Sequence, residues 1–247
     1  DIVIGFAFGK GERNTSVYTP YLEYTRSITD KTSVTGKLSF SAVNGELANT
    51  SGPGDLFVSV NHAIDSKRKW QKSLVVGLKV PFDQADIVKN GIHLPMPYQT
   101  CLGTTDLVLG LSYIRKSFGA TLALQQPLKK MNGNRFLPVD YPAASLAAKY
   151  LPTNAFERKG DALLRFSYNF DLNNSRFSIR PSLLGIYHLG NDSYLEAGLQ
   201  DVPKRRVEIE KSSGLTLNGN VFVGYRLNKN SALELSAGAP FVVRTNR

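Results

Sequence analysis

Apolar and polar residues alternate with period two along most of the chain, the spacing that sends successive side chains to opposite faces of a β-strand. In 54–64, Leu56, Val58, Val60 and Ile64 share one face, and Asp55, Ser59 and Asn61 share the other. In 70–82, Trp70, Leu74, Val76, Leu78, Val80 and Phe82 oppose Gln71, Ser73, Gly77 and Lys79. The rule repeats in 105–115, 117–126, 162–171, 176–189, 215–227 and 231–243, and near the start in 2–9, 18–28 and 34–42. It predicts about eleven strands, most of about 9–14 residues.

The connections alternate too. Short polar turns are expected at 29–32, 65–69, 115–117, 172–175 and 228–230, and longer links at 10–14, 44–53, 83–104, 127–159 and 190–214. Short turns on one rim and long loops on the other are the signature of a transmembrane antiparallel β-barrel with its apolar band outside. A soluble sandwich or lipocalin-like barrel would turn that face inward. Against it, the strands exceed the usual length in soluble sheets. The polar face mixes both charge signs with Gly, Ser and Asn, which suits a solvated lumen. Tyr18, Trp70, Phe82, Tyr113, Phe118, Phe170, Tyr225 and Phe241 stand near segment ends, as interfacial girdles do. The reading is one all-β domain over 1–247. Because such barrels have even strand numbers, about twelve strands are expected, with a closing strand beyond residue 247. Segments 194–199 and 206–210 would add a hairpin inside the last long loop.

Composition narrows this picture. At 42% hydrophobic residues, with 11 Tyr and 13 Phe, the chain is not disordered. No apolar run is long enough for a membrane helix. The single cysteine, Cys101, excludes an internal disulfide framework and a cysteine-rich zinc site. As a loop thiol it is available for an intermolecular disulfide or a lipid link. Asp1 begins without a basic or long apolar leader, which fits either a protein that is not secreted or one whose signal peptide has been removed; the strands favour the second. The formal charge of +10 does not by itself signal nucleic acid, and none is expected as a partner. Lys129, Lys130, Arg135, Lys149, Arg158 and Lys159 lie on or beside the longest loop. There they would meet lipopolysaccharide phosphates, concentrate anionic solutes, or simply be solvated.

The alternation turns Glu23, Lys37, Asp55, Lys79, Asp106, Arg165, Arg180, Arg226 and Glu234 inward. Lumen charges set selectivity, but opposed charges also pair across a narrow lumen, and both readings stand. Asp55 and Asp106 begin strands just after long loops, and Lys79 nears the top of a neighbouring strand. A rim pair between Lys79 and one of these aspartates is expected, with a role in register. In 141–151, alanines after Pro142 predict a short helix with Leu146, Tyr150 and Leu151 on one apolar side, either constricting the mouth or lying on the rim. Enzymatic chemistry is not indicated. His62, His93 and His188 lack the His-x-Ser spacing of outer-membrane hydrolases, and no phosphate loop, metal spacing or cofactor motif is present. His62 falls on the outer face, His93 in a loop, and His188 inward near a strand end.

Three segments carry a family resemblance: 51–60 (Ser-Gly-Pro-Gly-Asp-Leu-Phe-Val-Ser-Val), 74–82 (Leu-Val-Val-Gly-Leu-Lys-Val-Pro-Phe) and 104–113 (Thr-Thr-Asp-Leu-Val-Leu-Gly-Leu-Ser-Tyr). In this order they resemble the phenol-degradation (meta-pathway) type family of outer-membrane proteins. Segment 233–241 is similar to that family's penultimate strand, while 138–159 has no counterpart in it. The resemblance covers most of 54–126 and the C-terminal third. It implies transport of hydrophobic or aromatic compounds. Together with the basic balance, the expectation is a monomeric passive channel of the bacterial outer membrane for small hydrophobic, aromatic or anionic solutes. The alternative is a non-conducting barrel whose outer loops bind a partner.

Overall fold

The computed structural model describes residues 1–65, 71–171, 176–197 and 205–246. Its main sheet follows the chain in order through antiparallel neighbours. The strands are β1 (Ile2–Lys10), β2 (Ser16–Ser27), β3 (Thr32–Asn44), β4 (Asn49–Asp65), β5 (Gln71–Pro81) and β6 (Thr105–Arg115). They continue as β7 (Phe118–Lys129), β8 (Asp161–Tyr168, extended by Phe170–Asp171), β9 (Phe177–His188), β10 (Gly214–Arg226) and β11 (Ala232–Val242). The sheet curls into a half-barrel. Among the described residues β1 and β11 each pair on one side only. The top of β1 (Lys10, Gly11) and the segment after β11 (Val243, Arg244, Thr245) nonetheless line one cavity of about 510 Å³ with loop residues Met96 and Leu151. No described strand fills the place between these edges, and the eleven strands are the number that the alternation predicts for this stretch of sequence.

The apolar side chains point away from the concave face. Ile4 is 83% exposed, Leu235 76% and Phe241 70%, a surface that lipid, not water, stabilises. Apolar transfer from water would otherwise leave such a wall sticky along its whole height. Aromatic residues pair at the strand ends as girdles require. Phe118 stacks on Phe166, Tyr168 meets Phe170 and Phe177 meets Tyr225 at the short-turn end, and Phe8 meets Tyr18 near the other. Between β6 and β7 the turn is tight because Lys116 adopts φ 50°, a left-handed conformation that closes a short hairpin. On the concave side, a Cβ at Gly5 would come within 2.1 Å of the Tyr21 ring, so only glycine there lets Tyr21 lie across β1.

The dry interior is in the loops. Leu94, Tyr98, Phe136, Ala147 and Tyr150 pack with Val43 at the top of β3 into one buried cluster. Asn134 is its polar hub: its amide donates to the carbonyls of Ala85 (2.8 Å) and Leu94 (3.0 Å), and its oxygen accepts from Thr153 Oγ1 (2.7 Å) and the Phe136 N–H (3.0 Å). A buried amide with both ends used rigidifies the cluster. The loops reach across the mouth. Arg13, in the β1–β2 turn, donates to the Lys149 carbonyl, and its guanidinium lies 5.3 Å from the centre of the Tyr150 ring.

Several expectations change here. The helix foreseen after Pro142 is instead a turn followed by a single 3-10 turn, Ala147–Lys149, with another at Pro138–Asp140. The segment is too short to nucleate an isolated α-helix, and Pro138, Pro142 and Pro152 divide it. Cys101 is buried and donates to the Asp83 carbonyl, which removes it from intermolecular chemistry. Burial pushes its thiol pKa up from the ordinary value. The expected hairpin in the last long loop is present as Ser193–Leu195 paired with Arg206–Glu208. Trp70 and the turns expected over 66–69 and 172–175 lie outside the described residues.

Candidate functional site

The inner face divides into two charged zones. At the long-loop rim, β5 and β6 pair with Lys79 opposite Asp106, while β4 presents Asp55 beside them. Lys79 Nζ lies 2.8 Å from Asp106 and 3.6 Å from Asp55. Both expected partners are therefore engaged at once. Asp106 is fully buried, and Gln125 of β7 also donates to it. The chain of charges goes on. Arg158, from the end of the longest loop, contacts Asp106 (3.3 Å) and Asp161 at the start of β8. Asp161 Oδ1 meets His188 Nδ1 at 2.6 Å, and His188 Nε2 meets Asp192 at 2.8 Å. Asp192 also accepts from the Lys159 N–H, and its own N–H donates to Ser212.

His188 has no solvent exposure and a carboxylate on each ring nitrogen. A neutral imidazole donates from only one nitrogen, so this geometry calls for the doubly protonated ring. Signs then alternate from Asp55 to Asp192, tying β4, β5, β6, β8, β9 and two long loops into one rim. Arg158, assigned from sequence to a basic loop surface, belongs to this rim instead, whereas Lys159 meets it only through its backbone N–H and sets its ammonium 3.1 Å from Glu157.

Below it the cations sit on rings. Lys37 Nζ lies 4.0 Å from the centre of the Tyr21 ring, with Glu23 opposite it in register. Arg165 of β8 and Arg180 of β9 both lie over Phe222 of β10, at 5.1 and 4.7 Å from its centroid. Arg165 Nε donates to Ser182 Oγ at 3.1 Å. Arg180 Nη2 donates to Glu234 of β11 at 3.0 Å, and its Nε is closed off from solvent without a hydrogen-bond partner. Arg226 sits exposed at the short-turn end and joins neither group. Leu146 and Tyr150 belong to the loop cluster over the mouth, Tyr150 buried and Leu146 packed against it.

No family model matches the chain, and no curated protein matches it. Among solved structures it is similar to the crystal structure of an outer membrane channel from Pseudomonas putida F1. The TM-score is 0.61 over 94% of this chain and 78% of that one, at 14% sequence identity. The fold is that of an outer-membrane β-barrel. At this identity the likeness is one of fold, and it accords with the outward apolar face, the aromatic ends and the order of the strands.

Sequence reading thus placed Lys79 with one of Asp55 and Asp106, and turned Arg165, Arg180 and Glu234 to the same face of the barrel. It missed Phe222, although the parity of Asn218 and Asn220 turns that position inward. It also missed Arg158, Asp161 and Asp192 as partners of the rim. Arg158 reaches Asp106 across 52 positions and Asp161 reaches His188 across 27, and no strand periodicity encodes either, while the Arg158–Asp161 and His188–Asp192 contacts span only three and four positions but fall where the alternation has stopped. His93 is a loop residue as read, held by Asp86 at 2.9 Å, and His62 is an exposed residue bonded to Thr32.

Proposed function

We propose that this chain forms the wall of a passive channel in the bacterial outer membrane, of the phenol-degradation (meta-pathway) type, that passes small anionic or aromatic solutes. The observation that carries the reading is the charge of the inner face below the rim: Lys37, Arg165 and Arg180 stand there against Glu23 and Glu234. A low-dielectric wall around such an imbalance raises the local concentration of anions. The inner rings Tyr21 and Phe222 supply apolar surface to the same path. Fold likeness to a channel supports the class. Catalysis has little support, because the buried histidine has both nitrogens engaged by carboxylates and no lone pair free to act as base. The exposed Lys129, Lys130, Arg135 and Lys149 suit lipopolysaccharide phosphates around a monomer.

The second reading, a non-conducting barrel that binds a partner through its loops, draws on the loop cluster that reaches across the mouth. Planar-bilayer recording separates the two. Discrete current steps with an anion-selective reversal potential are expected. A purified, folded barrel that inserts and gives no steps would leave the second reading standing.

A further inference from the structure

We propose that Arg165, Arg180 and Phe222 form a binding station on the inner wall for a carboxylate carried on an aromatic body, resting on the reading of this face as a solute path. The charges on this part of the wall are unbalanced. Two guanidiniums share one phenyl ring, and only Arg180 contacts a carboxylate, Glu234. No carboxylate among the described residues lies within ion-pair distance of Arg165. Two guanidiniums at 5.1 and 4.7 Å from the centre of one ring repel each other, and an anion bound beside them offsets the repulsion. The rim shows what this barrel does when it neutralises cations internally: Lys79 and Arg158 each touch two aspartates.

The donors are of the kind that suits a planar oxyanion. Guanidinium forks match carboxylate geometry and are weakly hydrated, so they release water readily when an anion arrives. Arg180 Nε has no acceptor among the described residues and is closed off from solvent, an unmet donor that a carboxylate oxygen reaches once the guanidinium turns toward the lumen. Ser182, which holds Arg165, and Asn220, its register partner on β10, add neutral donors beside the pair. The ring decides the rest of the ligand. Phe222 is the residue paired with Arg180 across β9 and β10, so an oxyanion on the guanidiniums has a phenyl surface within reach for its apolar body. Chloride or acetate uses half of the station, and a neutral aromatic alcohol uses the other half.

The test is a titration of the full chain, folded in micelles and labelled with ¹⁵N-arginine, followed by the Nε–H resonances. Sodium benzoate is the probe, with sodium acetate and benzyl alcohol as the two partial ligands. Benzoate is expected to move two arginine resonances saturably. Acetate should need about tenfold more to reach the same shift, and benzyl alcohol should leave both resonances in place. Arg165→Lys keeps the charge but loses the fork, and should weaken benzoate by about tenfold. Phe222→Leu should erase the preference of benzoate over acetate while leaving acetate unchanged. Shifts that do not saturate, equal binding of acetate and benzoate, or an unaltered benzoate response in Arg165→Lys would each overturn the station. Heat-modifiable gel migration confirms that every variant is folded. Benzoate binding without bilayer conductance would strike the channel reading alone, and conductance without benzoate binding would strike the station alone.

Discussion

The rim and the wall below it use the same charged residues in opposite ways. At the rim each cation lies between aspartates, of which Asp106, Asp161 and Asp192 are nearly or wholly sealed from solvent and Asp55 is half-buried, and the network continues into two loops. On the wall the side chains of Arg180 and Glu234 are 40% and 53% exposed, and Arg165 faces a ring instead of an acid. A buried, closed set of ions fixes geometry, because removing one member strands the others in a low dielectric. A half-open set with surplus cations costs little to disturb and keeps capacity for a mobile anion. One sheet therefore carries a clasp at one height and a recognition surface at another.

The largest effect that tests this contrast is on stability. Lys79→Met leaves Asp55 and Asp106 without their shared cation and should cost about 3–5 kcal/mol. Arg180→Gln breaks an exposed pair and should cost less than about 1 kcal/mol. Urea midpoints of the refolded barrel check both, and equal losses would dissolve the distinction between the two zones. A smaller effect concerns the cap over the mouth. Cys101 should alkylate slowly with maleimide in the folded protein, because it is buried and its thiol titrates above the usual range. The thiolate fraction at a given pH is then below that of a free cysteine, so the rate should still climb where an exposed thiol has levelled off. Tyr98→Ala, which empties the centre of the loop cluster, should speed labelling several-fold at constant pH. The smallest effect is electrical. Lys37→Ala should move the reversal potential a few millivolts toward cation preference, while Lys149→Ala, on the outer loop, should leave it in place.

What was legible follows from the range of each interaction. Period-two alternation is local, so the faces of the strands and the inward set of charges were readable from residues two apart. Register is nearly local, and the position of Lys79 near a strand top was enough to predict its pairing with one of Asp55 and Asp106, though not with both at once. The Arg158–Asp161–His188–Asp192 extension joins loop ends to strand ends, and no periodicity carries that. Phe222 was hidden for a different reason. A binary pattern counts an apolar side chain as outward, so a ring turned inward to receive guanidiniums reads as an interruption of the pattern. The loop around Tyr150 was read by its alanines, whereas its shape is set by the fit of its tyrosine beneath Arg13 and against Tyr98.

Because the hydrophobic cluster of this chain sits in its connections and its strands face lipid, the usual map of mutational tolerance turns over. Aliphatic residues along the wall, such as Leu109, Leu122 and Leu235, need only remain greasy and should exchange freely among Leu, Ile and Val. Loop positions such as Tyr98, Asn134 and Phe136, which variation would normally reach first, are the ones where a change of shape or polarity is felt throughout the cap. Attempts to shorten or retarget this barrel by grafting new surface segments should therefore start at the exposed tips around Lys89 and Val139 rather than at the cysteine- and tyrosine-bearing stretches beside them.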